Sequence, residues 1–143
     1  MRVLGLDIGD SRIGVALSDP LGILASPLTI VPRPDDDSAI GGITAIIREK
    51  GVEMVIAGLP LNMDGTRSVQ TEKTETFVEL LRGRLEIPVV WRDERLSTVM
   101  ARERLKETRR VGKDTRDDDA AAAVILQSYL DESNPQEIPP DQR

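Results

Sequence analysis

Three runs rich in apolar and β-branched residues open the chain, at residues 2–8, 12–19 and 22–31, and the turn-forming segments Gly9-Asp10-Ser11 and Pro20-Leu21-Gly22 join them. That spacing predicts an antiparallel meander. The period then changes: Asp35-Asp36-Asp37-Ser38 supplies an N-cap, and Ile40, Ile43, Ile46 and Ile47 recur as one face of a helix ending near Lys50-Gly51. Val52-Glu53-Met54-Val55-Ile56-Ala57-Gly58 is short, mostly apolar and bounded by Gly, as expected of a central parallel strand buried on both faces.

After a loop from Leu59 to Thr66, Val69, Phe77, Leu80, Leu81 and Leu85 mark a second helix, and Pro88 precedes a strand ending at Asp93. Ser97 is placed to cap a third helix carrying Val99, Met100 and Leu105, and Thr108 to Arg116 reads as a mobile connection. A last helix starts near Asp117 to Asp119 and is expected to bury Ala122, Ile125, Leu126 and Tyr129. The fold class is therefore α/β, with a mixed five-stranded sheet, three antiparallel strands then parallel ones, and helices on both faces. This element order resembles that of ribonuclease H-like domains.

At 143 residues the chain suits one domain, able to bury about 68–70% of its unfolded surface. The expected domain is 1–131, with an acidic, Pro-rich tail at 132–143 expected to be disordered. No apolar run approaches the roughly 18 residues that span a bilayer, and Met1-Arg2 leads straight into a strand, so no membrane association and a cytoplasmic location are expected.

The net charge of −6 is unevenly spread. Residues 131–143 contribute −3, whereas 92–116 hold nine basic residues against five acidic ones. A basic strip thus adjoins the acidic clusters, although Glu/Arg pairs on a solvated helix face would produce the same pattern. One Trp, one Tyr and one Phe leave little scope for stacking on nucleobases, so nucleic acid would be recognised through its backbone and shape.

With no His and no Cys, imidazole and thiolate chemistry is excluded, and carboxylate, hydroxyl, Lys and Arg remain. Asp7 interrupts an otherwise apolar strand, where an unpaired charge is costly. Asp93-Glu94 closes a second strand and Asp117-Asp118-Asp119 opens the last helix. Convergence of Asp7, Glu94 and Asp118 would suit two Mg²⁺ or Mn²⁺ ions, which take oxygen ligands and need neither His nor Cys. Such a centre hydrolyses phosphodiester bonds. Each acid also has an ordinary explanation: a strand end for Asp7, pairing with Arg92 or Arg95 for Asp93 and Glu94, and the helix dipole for the Asp run. Helical phase favours Asp118, on a face with Ala121, Ala122 and Ile125, and Asp93 is a further candidate ligand. Arg12, Asn62, Arg67 and Arg95 are candidate substrate contacts, Asn62 and Arg67 because they belong to a polar strand-to-helix loop.

The segments Asp7-Ile8-Gly9, Arg12-Ile13-Gly14-Val15-Ala16, Gly58 through Gly65, Asp93-Glu94-Arg95-Leu96-Ser97-Thr98, and Asp118 through Ile125-Leu126-Gln127-Ser128-Tyr129-Leu130 together resemble the YqgF (RuvX) family. The resemblance covers residues 1 to about 131. It implies a ribonuclease H-like nuclease related in fold to the Holliday junction resolvase RuvC, and maturation of the small-subunit (pre-16S) ribosomal RNA as the role. Asp7 then matches the first-strand acid, Glu94 the acid of the Asp-Glu-Arg motif, and Asp118 the acid opening the last helix. Asp117 and Asp119 flank that last position and leave its register open. The expected partner is pre-rRNA ahead of branched DNA, with ribosomal particles as a further partner and a monomer or homodimer equally compatible. The rival readings are a junction resolvase acting in recombination and repair, and a binding module without catalysis. An actin-like or sugar-kinase ATPase is disfavoured, because one domain is too short for it.

Overall fold

In a computed structural model of the chain, residues 1–96 and 118–133 are described, positions 118 and 119 by their backbone alone. The elements are β1 (Val3–Ile8), β2 (Arg12–Ser18), β3 (Ala25–Pro32), α1 (Asp36–Lys50), β4 (Met54–Leu59), α2 (Val69–Arg84), β5 (Val89–Asp93), a 3₁₀ turn (Glu94–Leu96) and α3 (Asp118–Ser133). The strands form one sheet in the order β3-β2-β1-β4-β5. β1, β2 and β3 pair antiparallel, while β4 runs parallel to β1 and β5 parallel to β4. The meander and the two parallel strands match the sequence reading.

Local chemistry sets the element boundaries. Asp35, extended at φ −153, accepts a hydrogen bond from the Ser38 amide at 2.7 Å and so caps α1. Gly51 ends that helix in the left-handed conformation at φ 66, which glycine adopts without strain. At α2, Ser68 and Thr71 satisfy each other's backbone amides as a capping box, and the Thr71 hydroxyl also donates to the Pro60 carbonyl.

Strand alternation sends side chains to two cores. Leu4, Leu6, Ile13, Val15, Val55 and Ala57 meet Ile40, Ile43, Phe77 and Leu81 of α1 and α2. On the opposite face, Val3, Ala16, Ala25 and Ile56 meet Ala122, Ala123, Ile125, Leu126 and Leu130 of α3. A fully buried Leu or Ile contributes about 1.5–3 kcal/mol. Three positions differ from the periodicity reading: Val69 and Leu80 are solvent-exposed on α2, and Ala121 is exposed on α3. In α3 the buried set is Ala120, Ala122, Ala123, Ile125 to Ser128 and Leu130.

α3 continues through Ser133, two residues past the expected domain end. The expected helix capped by Ser97, most of the basic strip, the Thr108–Arg116 connection and the tail from 134 lie outside the described residues. Among the described residues no helix is long and apolar enough to cross a membrane.

Candidate active site

Asp7 lies near the C-terminal end of β1, on the face covered by α3. Its alternation partners establish this: Val3 belongs to the α3 core, and a Cβ on Gly5 would stand 2.8 Å from Leu126 Cβ and 3.1 Å from the Ala122 carbonyl oxygen. Across the antiparallel ladder Asp7 faces Gly14, and one step beyond the last parallel pair, Leu6 with Ala57, β4 presents Gly58. Both strand neighbours of the carboxylate are therefore glycines. Arg12, two residues before Gly14 on β2, shares this face and lies toward the same end of the sheet.

Glu94 reaches the same place from β5. Asp93 accepts a hydrogen bond from the Arg95 amide at 2.9 Å, which turns the chain out of the strand and into the 3₁₀ turn. The Glu94 side chain then folds over Gly58, where a Cβ would meet its Oε2 at 3.0 Å and its Cγ at 3.1 Å. Burial, and after it the neighbouring charges of Asp7 and Asp93, push the Glu94 carboxyl up from 4.5 to about 7. Two carboxylates from distant segments thus face one region and repel each other there.

Asp118 is the first residue of α3. The helix runs back over Gly5 and buries Leu130 beside Val3, so its N-terminal turn lies toward the Asp7 end of β1. Among the described residues no three acids form a cluster able to hold a metal. The Asp7–Glu94 pair nevertheless fits Mg²⁺ or Mn²⁺ in its chemistry: all-oxygen donors, and mutual repulsion that a cation relieves.

Asp93 has a different environment from Glu94. Arg95 grips it through Nε, at 3.1 Å from both carboxylate oxygens, and through Nη2 at 2.7 Å. That hydrogen bonding holds the Asp93 carboxyl below the usual range. Arg95 Nη1 also donates to the Met63 carbonyl at 3.2 Å, so this residue braces the loop between β4 and α2. Asn62 closes that loop on itself, its amide donating to the Thr66 carbonyl at 3.0 Å and its Nδ2 to the Thr66 hydroxyl at 2.9 Å. Arg67 pairs with Glu75 on α2. Arg92, grouped by sequence with the basic strip, is instead buried and bonds to Ser128 and Glu132 of α3.

Over residues 1–132 the chain matches the RuvX family, described as Holliday junction resolvase. The chain belongs to that family. This RuvX protein is 48% identical, over 128 residues that cover 90% of it and 96% of the relative, to a Dehalococcoides mccartyi protein provisionally named pre-16S rRNA nuclease. A Clostridium novyi relative with the same provisional name is 47% identical over 133 residues, covering 92% and 98% of the two chains. Among solved structures, the RuvX chain is similar to Thermus thermophilus RuvC in complex with a Holliday junction substrate, with a TM-score of 0.64, 15% identity, and 95% and 96% of the chains covered. The fowlpox virus Holliday junction resolvase gives a TM-score of 0.56 at 15% identity, covering 93% and 99%. At such identities the likeness shows the fold, a ribonuclease H-like sheet as in the resolvases.

Three RuvX residues near the site escaped the sequence reading. Gly58 reads from the sequence as a strand boundary, Ser128 enters only as part of a family motif, and Arg33 has no assigned role. Arg33 donates to the Gly9 carbonyl at 2.7 Å, bonds Asp36 at 3.0 Å and lies 4.4 Å over the Phe77 ring, bracing the turn that follows Asp7.

Proposed function

We propose that this chain is a metal-dependent nuclease that cleaves phosphodiester bonds at the 5′ end of the pre-16S ribosomal RNA, acting in the cytoplasm on pre-rRNA and on particles that contain it. The observation that carries this reading is the juxtaposition of Asp7 and Glu94, two carboxylates from distant segments close enough that the charge of Asp7 raises the Glu94 carboxyl. The provisional names of the relatives support the RNA substrate, while the description of the family keeps the junction resolvase as the second reading.

In this reading Asp7, Glu94 and Asp118 hold Mg²⁺ or Mn²⁺, with Asp93 as the remaining candidate among the acids. When bound, such ions make a water more acidic and relieve charge on the leaving oxygen. The residues of the chain supply the frame. Asp7 is fixed by the central strand, and Glu94 is fixed by its turn and by the glycine beneath it. Arg12, on the same face, is placed to bind a phosphate through its guanidinium fork. Asn62, Arg67 and Arg95 shape the loop that borders the site, and the pairing of Arg67 and Arg95 with acids makes them supports of that loop as well as candidate contacts.

The aromatic residues agree with backbone recognition. Phe77 is buried, Trp91 packs on the α1/α2 side under Arg82, and the Tyr129 hydroxyl meets Met54 Sδ at 3.9 Å. None of the three is presented as a stacking platform on the Asp7 face.

The test is cleavage of a small-subunit rRNA precursor and a four-way DNA junction, side by side, with Mg²⁺ or Mn²⁺, by wild type and Asp7→Asn. Precursor cleavage lost in the variant is expected. Junction-only cleavage would restore the resolvase reading, and binding without cleavage of either substrate would favour a non-catalytic module.

A further inference from the structure

One hydroxyl fastens both flanks of the turn that carries Glu94. Ser128 Oγ accepts hydrogen bonds from Arg92 Nη2 at 2.7 Å and Nε at 3.2 Å, and it donates to the Leu96 carbonyl at 2.8 Å. Arg92 and Leu96 lie two residues before and two residues after Glu94. Three residues earlier on the same helix, Ile125 reaches beneath Glu94, its Cδ1 2.8 Å from where a Gly58 Cβ would be. The floor and both flanks of the Glu94 turn therefore come from one turn of α3.

A three-residue 3₁₀ turn has few hydrogen bonds of its own and poor geometry in those it has, so its position is set from outside. Ser128 is 2% and Arg92 8% exposed. Burying a guanidinium is costly, and apolar residues of similar volume usually give equal or better stability. What an arginine offers here, and an apolar side chain does not, is direction: two donors, Nε and Nη2, on one oxygen, with Nη2 also meeting the Ser128 carbonyl and Glu132.

We propose that Arg92 and Ser128 are positioning residues, which aim the Glu94 carboxylate at Asp7 by fastening both flanks of its turn to α3. The inference rests on the reading of Asp7 and Glu94 as metal-holding acids. Residues that orient metal ligands from behind typically change metal affinity 10- to 100-fold when removed, roughly the scale expected here.

The experiment is Mn²⁺ binding by titration calorimetry on the full chain, with melting temperature measured for each variant and binding measured where all are folded. Ser128→Ala is expected to weaken Mn²⁺ binding about 10-fold or more. Ser128→Thr keeps the hydroxyl and should bind as wild type does. Glu132→Gln removes the exposed ion partner of Arg92 without touching the hydroxyl, and should also leave Mn²⁺ binding unchanged. Wild-type affinity in Ser128→Ala, however far its melting temperature falls, would overturn the proposal and leave the contact as one of fold stability. If Ser128→Ala does not fold, Arg92→Lys decides: it keeps a cation but loses the two-donor geometry, so unchanged Mn²⁺ affinity there would also overturn it. Wild type that binds no Mn²⁺ would instead remove the metal-site reading on which the inference stands.

Discussion

The Glu94 carboxylate lies directly over Gly58, close enough that a single added carbon on β4 would stand 3.0 Å from Oε2. The same carbon would meet Ile125 Cδ1 at 2.8 Å, and so it would press on both the acid and the helix that supports it. Gly58→Ala should cost about 1–3 kcal/mol of stability by overpacking. Precursor cleavage should fall by more than that loss explains, because Glu94 is displaced. Denaturant midpoints and cleavage rates measured together check this, and an alanine variant with normal turnover would contradict the placement of Glu94.

Asp7→Asn keeps the shape of the side chain and removes its charge. Cleavage is expected to disappear while the fold persists. Because Asp7 is, after burial, the largest cause of the raised Glu94 carboxyl, the metal-free variant should also be more stable than wild type above pH 7. Urea denaturation in chelator at pH 8 tests that second outcome without any assay of activity.

The pH dependence of the metal-free protein follows from Glu94. Its folded form holds a proton up to about 7, against an ordinary value of 4.5. The stability this contributes is complete below the lower value and is lost as pH rises through the higher one, about 1–2 kcal/mol once solvent screening of the partly exposed carboxyl is allowed for. Other groups add their own slopes, so the comparison is with Glu94→Gln, which should remove this fall between pH 5 and 8. Divalent metal competes with the same proton, and its binding should tighten as pH rises through 7. A parallel pair of stability profiles would show that Glu94 titrates normally.

Gly5 is the other close approach. A Cβ there would stand 2.8 Å from Leu126 Cβ and 3.1 Å from the Ala122 carbonyl oxygen, so Gly5→Ala must lift α3 from β1. A loss of about 1–3 kcal/mol is expected. Because the first turn of α3 would move relative to Asp7, weaker Mn²⁺ binding should accompany it, and calorimetry on the folded fraction would reveal whether it does.

Period and punctuation along the chain determined the fold class. Alternation in the first three runs, the Asp35 cap, the apolar stretch after Gly51 and the spacing within α2 and α3 each specify an element locally, and their order leaves few ways to pair the strands. The absence of His and Cys likewise excluded imidazole and thiolate chemistry before any atom was placed. Only the tertiary structure separated Asp93 from Glu94. Adjacent residues leaving a strand point to opposite sides, so Arg95 takes one while the other folds over Gly58 toward Asp7. The tertiary structure also moved Arg92 out of the solvated basic strip, since its partners Ser128 and Glu132 lie 36 and 40 residues away. Such pairings arise when a helix crosses a sheet, and local sequence pattern does not encode which distant residues will then meet.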